Sequence, residues 1–317
     1  VGYGAHGKVF KVWEVNLSRE VAIKEIDIQS SHQEGKSTDD AGKTEREISI
    51  MACLRHPYVV PFLGTERTEE TMYIIMDYAP AGSLAKYSKE RAGLPEAEAC
   101  GYVAQMMLGL DYLHAHGILH RDIKGANCLL FPAPVNANNN IADSPLAADD
   151  PQNRAILKLA DFGASKVFDT SNKSQSNGLT KKTSIVGTAH WMAPEMIKGQ
   201  SVGKSADIWS VGATVIEVLS GQLPWRGITE QVTIFFKVTQ TAEMPSLPDN
   251  ISDPARDFLD LCLHRKPTDR ATTKMLLTHR WLRSYTMEAQ KKMLEQLSTE
   301  VTSLATDLSP APKVPVQ

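Results

Sequence analysis

The sequence has little of several features that mark other classes of protein. Its four cysteines lie far apart in the chain, without the close spacing of a zinc site. We therefore expect free thiols in a reducing compartment, the cytoplasm. With a net charge of −3, the chain has no excess of positive charge with which to bind nucleic acid or an anionic membrane. The most apolar stretch, residues 208–219, is too short for a membrane span and contains Glu217, so it predicts a core helix.

Three short motifs carry charged and polar side chains suited to phosphoryl transfer. They are VAIK at 21–24, HRDIKGAN at 120–127 and LADFG at 159–163. Moving a phosphoryl group from ATP to a hydroxyl requires mainly positioning and neutralisation of charge. Asp122 can take the proton of the attacking hydroxyl, and Lys24 can hold the α- and β-phosphates. Asn127 and Asp161 can hold Mg²⁺, the expected cofactor.

A glycine-rich segment, GYGAHGKV at 2–9, precedes these motifs. The same glycine spacing occurs in dinucleotide-binding folds, where it joins a strand to a helix. Here Val9, Phe10 and Val12 continue as a second strand, so we expect a flap between two strands, or else an ordinary hairpin. The backbone amides that such a flap brings to phosphate oxygens are those of Gly2, Gly4 and Gly7.

In this order the motifs resemble those of the eukaryotic protein kinases. The resemblance implies an α+β bilobal fold, with a small β-rich N-lobe at 1–79, its first strand truncated, and a larger helical C-lobe at 80–284. A C-terminal helix and a disordered tail are expected at 285–317. Residues 131–155 show no periodicity and predict a disordered insertion, either a tolerated surface loop or a docking segment. Because residue 1 lies within a motif, we expect the gene product to extend further.

Hydrophobic periodicity predicts several individual elements. Alternation over 9–15 and 19–26 predicts a hairpin, and 71–79 predicts another strand. Helices are expected from Thr44 and over 99–117, 205–220, 230–240, 254–264, 272–279 and 286–301.

The resemblance also assigns the ATP site. Lys24 should be held by a glutamate on the helix of the small lobe, and the distance to the following His-Pro turn favours Glu47 over Glu45. Cys128, directly after the catalytic loop, is either a reactive thiol or, as we favour, a small buried hydrophobe. The adenine is expected between Val9, Ala22 and Leu129, beside the gatekeeper Met76, with hinge hydrogen bonds from the backbone of Asp77 and Ala79.

In the large lobe, the resemblance assigns five further residues. Lys124 should neutralise the migrating phosphoryl group, as in serine/threonine kinases. Thr188 should contact the catalytic aspartate and lysine. Glu195 should form an ion pair with Arg270, and Asp207 should anchor the backbone of the catalytic loop.

The loop between Asp161 and Glu195 is the expected regulatory segment. Arg121 stands where active-form kinases carry an arginine that pairs with a phosphorylated loop residue. Ser184 best matches that phosphosite, followed by Thr183. The alternative is that these hydroxyls only solvate a mobile loop.

The motifs DFGASK and GTAHWMAPE most resemble the Ste11/MEKK group of MAP kinase kinase kinases. This implies a MAP kinase kinase as substrate and an upstream kinase, adaptor or scaffold as activator, with no nucleic acid and no membrane span. His190 departs from the Tyr or Phe usual before WMAPE. The alternatives are a Ste20/PAK-like kinase of another tier and a kinase-fold scaffold with little turnover.

Overall fold

A computed structural model describes the chain with several gaps. The described residues are 2–4, 7–16, 18–27, 52–132, 155–161, 165–167, 189–248, 250–291, 293–294 and 298. Strands dominate the first part of the chain and helices the second. The expected α+β fold with two lobes is confirmed.

The small lobe is built on an antiparallel sheet of five strands, in the order β1-β2-β3-β5-β4. The strands are β1 Gly2–Gly4, β2 Gly7–Glu14, β3 Arg19–Asp27, β4 Phe62–Arg67 and β5 Thr71–Asp77. The predicted hairpin is confirmed, with Val9 opposite Lys24 in the β2–β3 register. Ile74 lies opposite Lys24 in the β3–β5 register and is buried, so the two side chains share one face of the sheet. This register places the Lys24 side chain on the inner face, where it is buried.

The large lobe is helical. Its helices are α1 Leu84–Glu90, α2 Glu96–Ala115, α3 Pro194–Ile197, α4 Lys204–Ser220, α5 Gln231–Gln240, α6 Asp253–Cys262 and α7 Thr273–Leu277, followed by a helical stretch at 283–291. Most residues of α2 and α4 are buried, so both helices run through the core. The predicted core helix at 208–219 is confirmed as part of α4. That helix ends at Gly221, whose φ of +66° favours glycine.

Two further antiparallel sheets, of two strands each, lie in the large lobe. Strand β6 (Ile118–Leu119) pairs with β9 (Lys166–Val167), and β7 (Cys128–Pro132) pairs with β8 (Ala155–Leu159). A 3₁₀ turn at Gly125–Asn127 leads into β7. These strands therefore place the 120–127 loop next to the residues that follow β8.

The ends of the expected insertion need correction. Phe131 and Pro132 belong to β7, and Ala155 belongs to β8, where it pairs with Pro132. Phe131 and Ala155 are buried, so they contribute apolar surface that an unordered insertion would leave in water. Residues 133–154 lie outside the described part.

One strand was not expected, and some expectations fall on residues that the structure does not describe. Strand β4 was not predicted, because its sequence shows no clear alternation. Of the helix expected from Thr44 to the His-Pro turn, only the end is described, and it is helical at 52–53. The tail from 299 lies outside the described residues. Among the described helices, none combines the length and apolar character required to span a membrane.

Candidate active site

The backbone of the 120–127 loop is held by a buried carboxylate on α4. Oδ1 of Asp207 accepts the Arg121 N–H at 2.7 Å, and Oδ2 accepts the His120 N–H at 3.0 Å. The Nε2 atom of His114 lies 2.8 Å from the same Oδ2. Burial alone would raise the pKa of Asp207, but the hydrogen bonds and nearby histidines outweigh it and lower the pKa. The carboxylate therefore stays charged and holds Arg121 at a φ of +67°.

His120 links this loop to the strand that precedes Asp161. Its Nε2 lies 3.1 Å from the Ala160 carbonyl oxygen, and its Nδ1 accepts the Asp122 N–H at 3.4 Å. Complete burial lowers the pKa of His120, although nearby carboxylates act in the opposite direction. The ring therefore bridges the backbone of Asp122 and that of Ala160, the residue before Asp161.

Asp122 lies buried at the centre of a small polar network. Lys124 Nζ donates to Asp122 Oδ2 at 2.7 Å, and Asn127 Nδ2 donates to the same oxygen at 2.9 Å. Asn127 Nδ2 also donates to the Asp122 carbonyl at 2.8 Å. Within the described part of the chain, both side-chain hydrogen bonds of this carboxylate use Oδ2. Oδ1 therefore remains as the oxygen that can accept a proton from a substrate hydroxyl.

Lys24 and Asp161 form an ion pair that joins the lobes. Their Nζ and Oδ1 atoms are 2.6 Å apart, and Lys24 is 7% exposed. Asp161 is half-buried and has a φ of +62°, an unusual value for a non-glycine residue. The proposed partner Glu47 and the alternative Glu45 lie outside the described residues.

The donor set around Asp161 fits Mg²⁺. The two amide hydrogens of Asn127 are directed at Asp122, so its Oδ1 is the atom left to bind a metal ion. Carboxylate and amide oxygens suit this hard cation, which usually also binds substrate phosphates. The described residues contain no group of three or more His, Cys, Asp or Glu side chains that could hold a metal. In such sites water and substrate phosphate oxygens usually complete the coordination.

An apolar cluster lies between the sheet of the small lobe and the start of the large lobe. It consists of Val60, Ala79, Phe131 and Ala160, with Met76 and Leu129 packed against it. Ala22 pairs with Met76 across β3 and β5, so three of the expected adenine-site residues, Ala22, Met76 and Leu129, lie along one wall. Val9 is half-buried on β2.

The expected hinge and glycine flap lie at the edge of this wall. The Asp77 N–H donates to the Pro61 carbonyl at 3.4 Å, and the Ala79 carbonyl accepts the Gly82 N–H at 3.2 Å. In the flap, Gly4 pairs with Gly7 and Gly2 with Val9. This is the two-stranded arrangement expected for the flap, whose tip at 5–6 lies outside the described residues.

Glu195 and Arg270 meet in the interior of the large lobe. Arg270 NH1 and NH2 donate to the two carboxylate oxygens at 2.6 and 2.8 Å, in the bidentate geometry that favours arginine. The residues are 2% and 6% exposed. Glu195 lies at the start of α3, so the pair fixes the end of the segment that leads out of the active site.

In the sequence, Glu217 only interrupts an apolar run. In the structure its Oε2 accepts the Gly125 N–H at 2.9 Å and the Trp191 Nε1–H at 3.1 Å. Burial raises its pKa to about 7, against the effect of these hydrogen bonds and of Lys124. A carboxylate inside an apolar stretch must be compensated by hydrogen bonds or by opposite charges. The position of Glu217 in the sequence could therefore have identified it as a buried residue with polar contacts.

The regulatory segment is described only in part. Ser184, Thr183 and Thr188 lie outside the described residues. Nε2 of His190 lies 3.2 Å from the Ile228 carbonyl oxygen, so this residue contacts the chain just before α5. Arg121 Nε is buried and has no hydrogen-bond partner within the described residues. Burial lowers the pKa of Arg121, so an anion beside it would relieve a real desolvation cost.

Comparison with known proteins agrees with this geometry. The family model described as a protein kinase domain matches residues 1–282. Mitogen-activated protein kinase kinase kinase 2 of Arabidopsis thaliana is 35% identical over 93% of this chain and 41% of its own length. The kinase kinase kinase ANP1 of the same plant is 34% identical over 98% of this chain and 42% of its own.

A similar relative occurs outside plants. Mitogen-activated protein kinase kinase kinase A of Dictyostelium discoideum is 32% identical over 88% of this chain and 27% of its own length. The chain thus spans less than half the length of each of these relatives.

Proposed function

The chain belongs to the protein kinase family, and from this premise we propose that it transfers the γ-phosphate of ATP to serine or threonine of a MAP kinase kinase. The observation that carries the proposal is that the Lys24–Asp161 ion pair and the hydrogen-bonded group of Asp122, Lys124 and Asn127 lie side by side. The Ala160 N–H, next to Asp161, donates to the Asn127 carbonyl oxygen at 2.9 Å. These residues come from both lobes and three separate motifs, so their meeting is a property of the fold.

Asp122 acts on the acceptor hydroxyl. Its Oδ2 is fixed by Lys124 and Asn127, which leaves Oδ1 to orient the hydroxyl and accept its proton. Proton transfer by a positioned side chain contributes typically about 10²–10⁴ in rate. The burial of Asp122 keeps bulk water from competing for this oxygen.

The two lysines act on the phosphates. Lys24 holds the α- and β-phosphates, and Lys124, beside the carboxylate, neutralises charge on the migrating phosphoryl group. Asn127 and Asp161 would hold Mg²⁺, which when bound would neutralise charge on the phosphates. The glycine amides of the flap cover the same phosphates from the small lobe.

The acceptor is an aliphatic hydroxyl in this proposal. Lys124, with Thr188 assigned beside it, shapes the site near Asp122 for a short side chain. A tyrosine ring would hold its oxygen several ångströms further from its own backbone, and a 1 Å misplacement can cost about 10²-fold. We therefore infer transfer to serine and threonine with little transfer to tyrosine.

The names of the relatives support the assignment to the MAP kinase kinase kinase tier. A MAP kinase kinase is then the substrate, and an upstream kinase, adaptor or scaffold is the activator. We also infer a cytoplasmic location, which is supported by the four free thiols, one of them, that of Cys53, exposed.

The test is transfer from ATP to a MAP kinase kinase inactivated by substitution of its own catalytic residue. The purified chain should phosphorylate serine or threonine in the activation loop of that protein, at sites identified by mass spectrometry. Asp122→Asn should lower kcat by about 10²–10⁴-fold. The same substitution at Asp260, which is exposed on α6, is the matched control and should leave kcat unchanged.

Each part of the proposal can fail separately. Near-full turnover by Asp122→Asn would show that this residue is not the base. A preference for MAP kinases, or for basic peptides over any MAP kinase kinase, would move the chain to another tier. ATP binding without transfer to any protein would support the scaffold alternative.

A further inference from the structure

The helix at 283–291 lies beyond the kinase-domain match, which ends at residue 282. Thr286 and Ala289 are buried and Tyr285 is half-buried, whereas Met287 is 62% exposed. Buried positions spaced three and four residues apart are typical of a helix with one packed face. The helix is therefore held against the domain.

Tyr58, just before β4 in the small lobe, contacts this helix. Its hydroxyl donates to the Ala289 carbonyl oxygen at 3.1 Å, and the contact is buried. The side chain of Tyr58 also packs in the main hydrophobic core. Burial raises the pKa of Tyr58 to about 12, so the phenol keeps its proton as a donor.

The backbone of Tyr58 is in turn bonded to the end of β8. Its carbonyl accepts the Leu159 N–H at 2.9 Å, and the Val60 N–H donates to the Leu159 carbonyl at 2.9 Å. Leu159 is two residues before Asp161. Helix α2 restricts the same carbonyl, since a Cβ at Gly109 would lie 2.6 Å from it. If Tyr58 moves, the end of β8 must therefore move with it.

We propose that the helix at 283–291 is a positioning element for the active site. By holding the Tyr58 hydroxyl, it keeps the end of β8 in place and so sets Asp161 beside Lys24. The role of Asp161 in ATP binding rests on the proposed function, whereas the connection from helix to strand rests on geometry alone. The chain beyond the kinase-domain match thus adjusts the ATP site through Tyr58 and β8.

Three variants test this connection. Tyr58→Phe removes one oxygen and keeps the ring, and Ala289→Arg places a charge in the packed face of the helix. Met287→Arg makes the same change to arginine on the exposed face and serves as the control. One hydrogen bond transmitted in full changes an equilibrium by about two- to tenfold.

The readouts are amide hydrogen exchange of the peptide at 155–161 and the Kd of ATP with Mg²⁺, measured by calorimetry well below the melting temperature. We expect Tyr58→Phe and Ala289→Arg to speed exchange and raise this Kd by about two- to tenfold. The KM for the protein substrate should stay constant, because the proposed connection runs through β8 to Asp161 and Lys24, on the ATP side of the site. Met287→Arg should change neither readout.

The inference is overturned if Ala289→Arg speeds exchange across 283–291 while exchange at 155–161 and the Kd of ATP remain at wild-type values. If Ala289→Arg does not fold, Tyr58→Phe decides, and wild-type values for both readouts would refute the proposal. Failure of the proposed function looks different. In that case the wild-type chain would bind ATP and show these coupled changes but transfer no phosphate.

Discussion

Removal of the buried arginine from the Glu195–Arg270 pair should strongly destabilise the large lobe. In Arg270→Met the carboxylate stays at a site that is 2% exposed, without its bidentate partner. Breaking a buried pair in this way costs roughly 3–5 kcal/mol. Arg270 also donates to the carbonyl oxygens of His264 at 2.7 Å and Ser205 at 2.8 Å, and these would lose a donor. We therefore expect the upper part of that range.

The other variants of a double-mutant cycle separate the energy of the ion pair from that of its other contacts. Glu195→Leu leaves the guanidinium with its backbone acceptors, so its cost should be smaller than that of Arg270→Met. The double variant replaces both charges with apolar groups and should be more stable than the two single costs predict. Coupling within such contacts amounts to about 0.5–3 kcal/mol.

Urea unfolding followed by tryptophan fluorescence measures these energies. The Arg270 guanidinium lies 5.2 Å from the ring centroid of Trp209, so one of the five tryptophans lies at the site. In thermal melts, 3–5 kcal/mol corresponds to a drop of about 6–20 °C in a domain of this size. Arg226→Met, at an exposed position, is the control. An unfolding midpoint for Arg270→Met equal to that of the control would refute the reasoning, as would strictly additive costs.

Three other perturbations have defined outcomes. Asp161→Asn should raise the Mg²⁺ concentration for half-maximal activity by more than about 100-fold; an unchanged Mg²⁺ titration would contradict its role. The pKa of Glu217 is about 7 in the folded chain and 4.5 in an isolated group, so folding favours the protonated acid. The free energy of unfolding should therefore fall by about 3 kcal/mol as pH rises from 4.5 to 7, and then level off. Urea unfolding of Glu217→Gln should lack this slope, and an identical slope would exclude the assignment. If Arg121 binds a phosphorylated loop residue, phosphatase treatment should lower turnover. Ser184→Ala should already be as slow as the treated protein. Activity that survives the treatment would favour unmodified hydroxyls.

The residues of the chemical network could be predicted because the reaction dictates local sequence. Asp122, Lys124 and Asn127 lie within one short loop, so their spacing alone brings them together. The hairpin that carries Lys24 follows from alternation of apolar and polar residues. The contact between Lys24 and Asp161 joins residues 137 positions apart and was not predicted, because the family resemblance assigned Glu47 or Glu45 as the partner of Lys24.

Contacts that depend on tertiary packing left no local signal. Tyr58 reads as one more aromatic residue after a His-Pro turn, and only the folded chain brings it to Ala289. Similarly, His114 lies on a helix with apolar residues on every side, and nothing in the sequence pairs it with Asp207. The strand residues Phe131 and Ala155 were missed because the composition of the 133–154 segment dominated the pattern around them.

The β7–β8 ladder makes the length of the intervening segment largely irrelevant to catalysis. Cys128 pairs with Leu159 at the inner end of the ladder, directly after Asn127 and just before Asp161. The ladder fixes the distance between the two metal-site residues whatever the number of residues that joins Pro132 to Ala155. Each doubling of a flexible loop adds only about 0.6 kcal/mol of closure entropy. Lineages can therefore lengthen or shorten this connection at little cost, and a fluorescent reporter domain could be inserted there without disturbing the site.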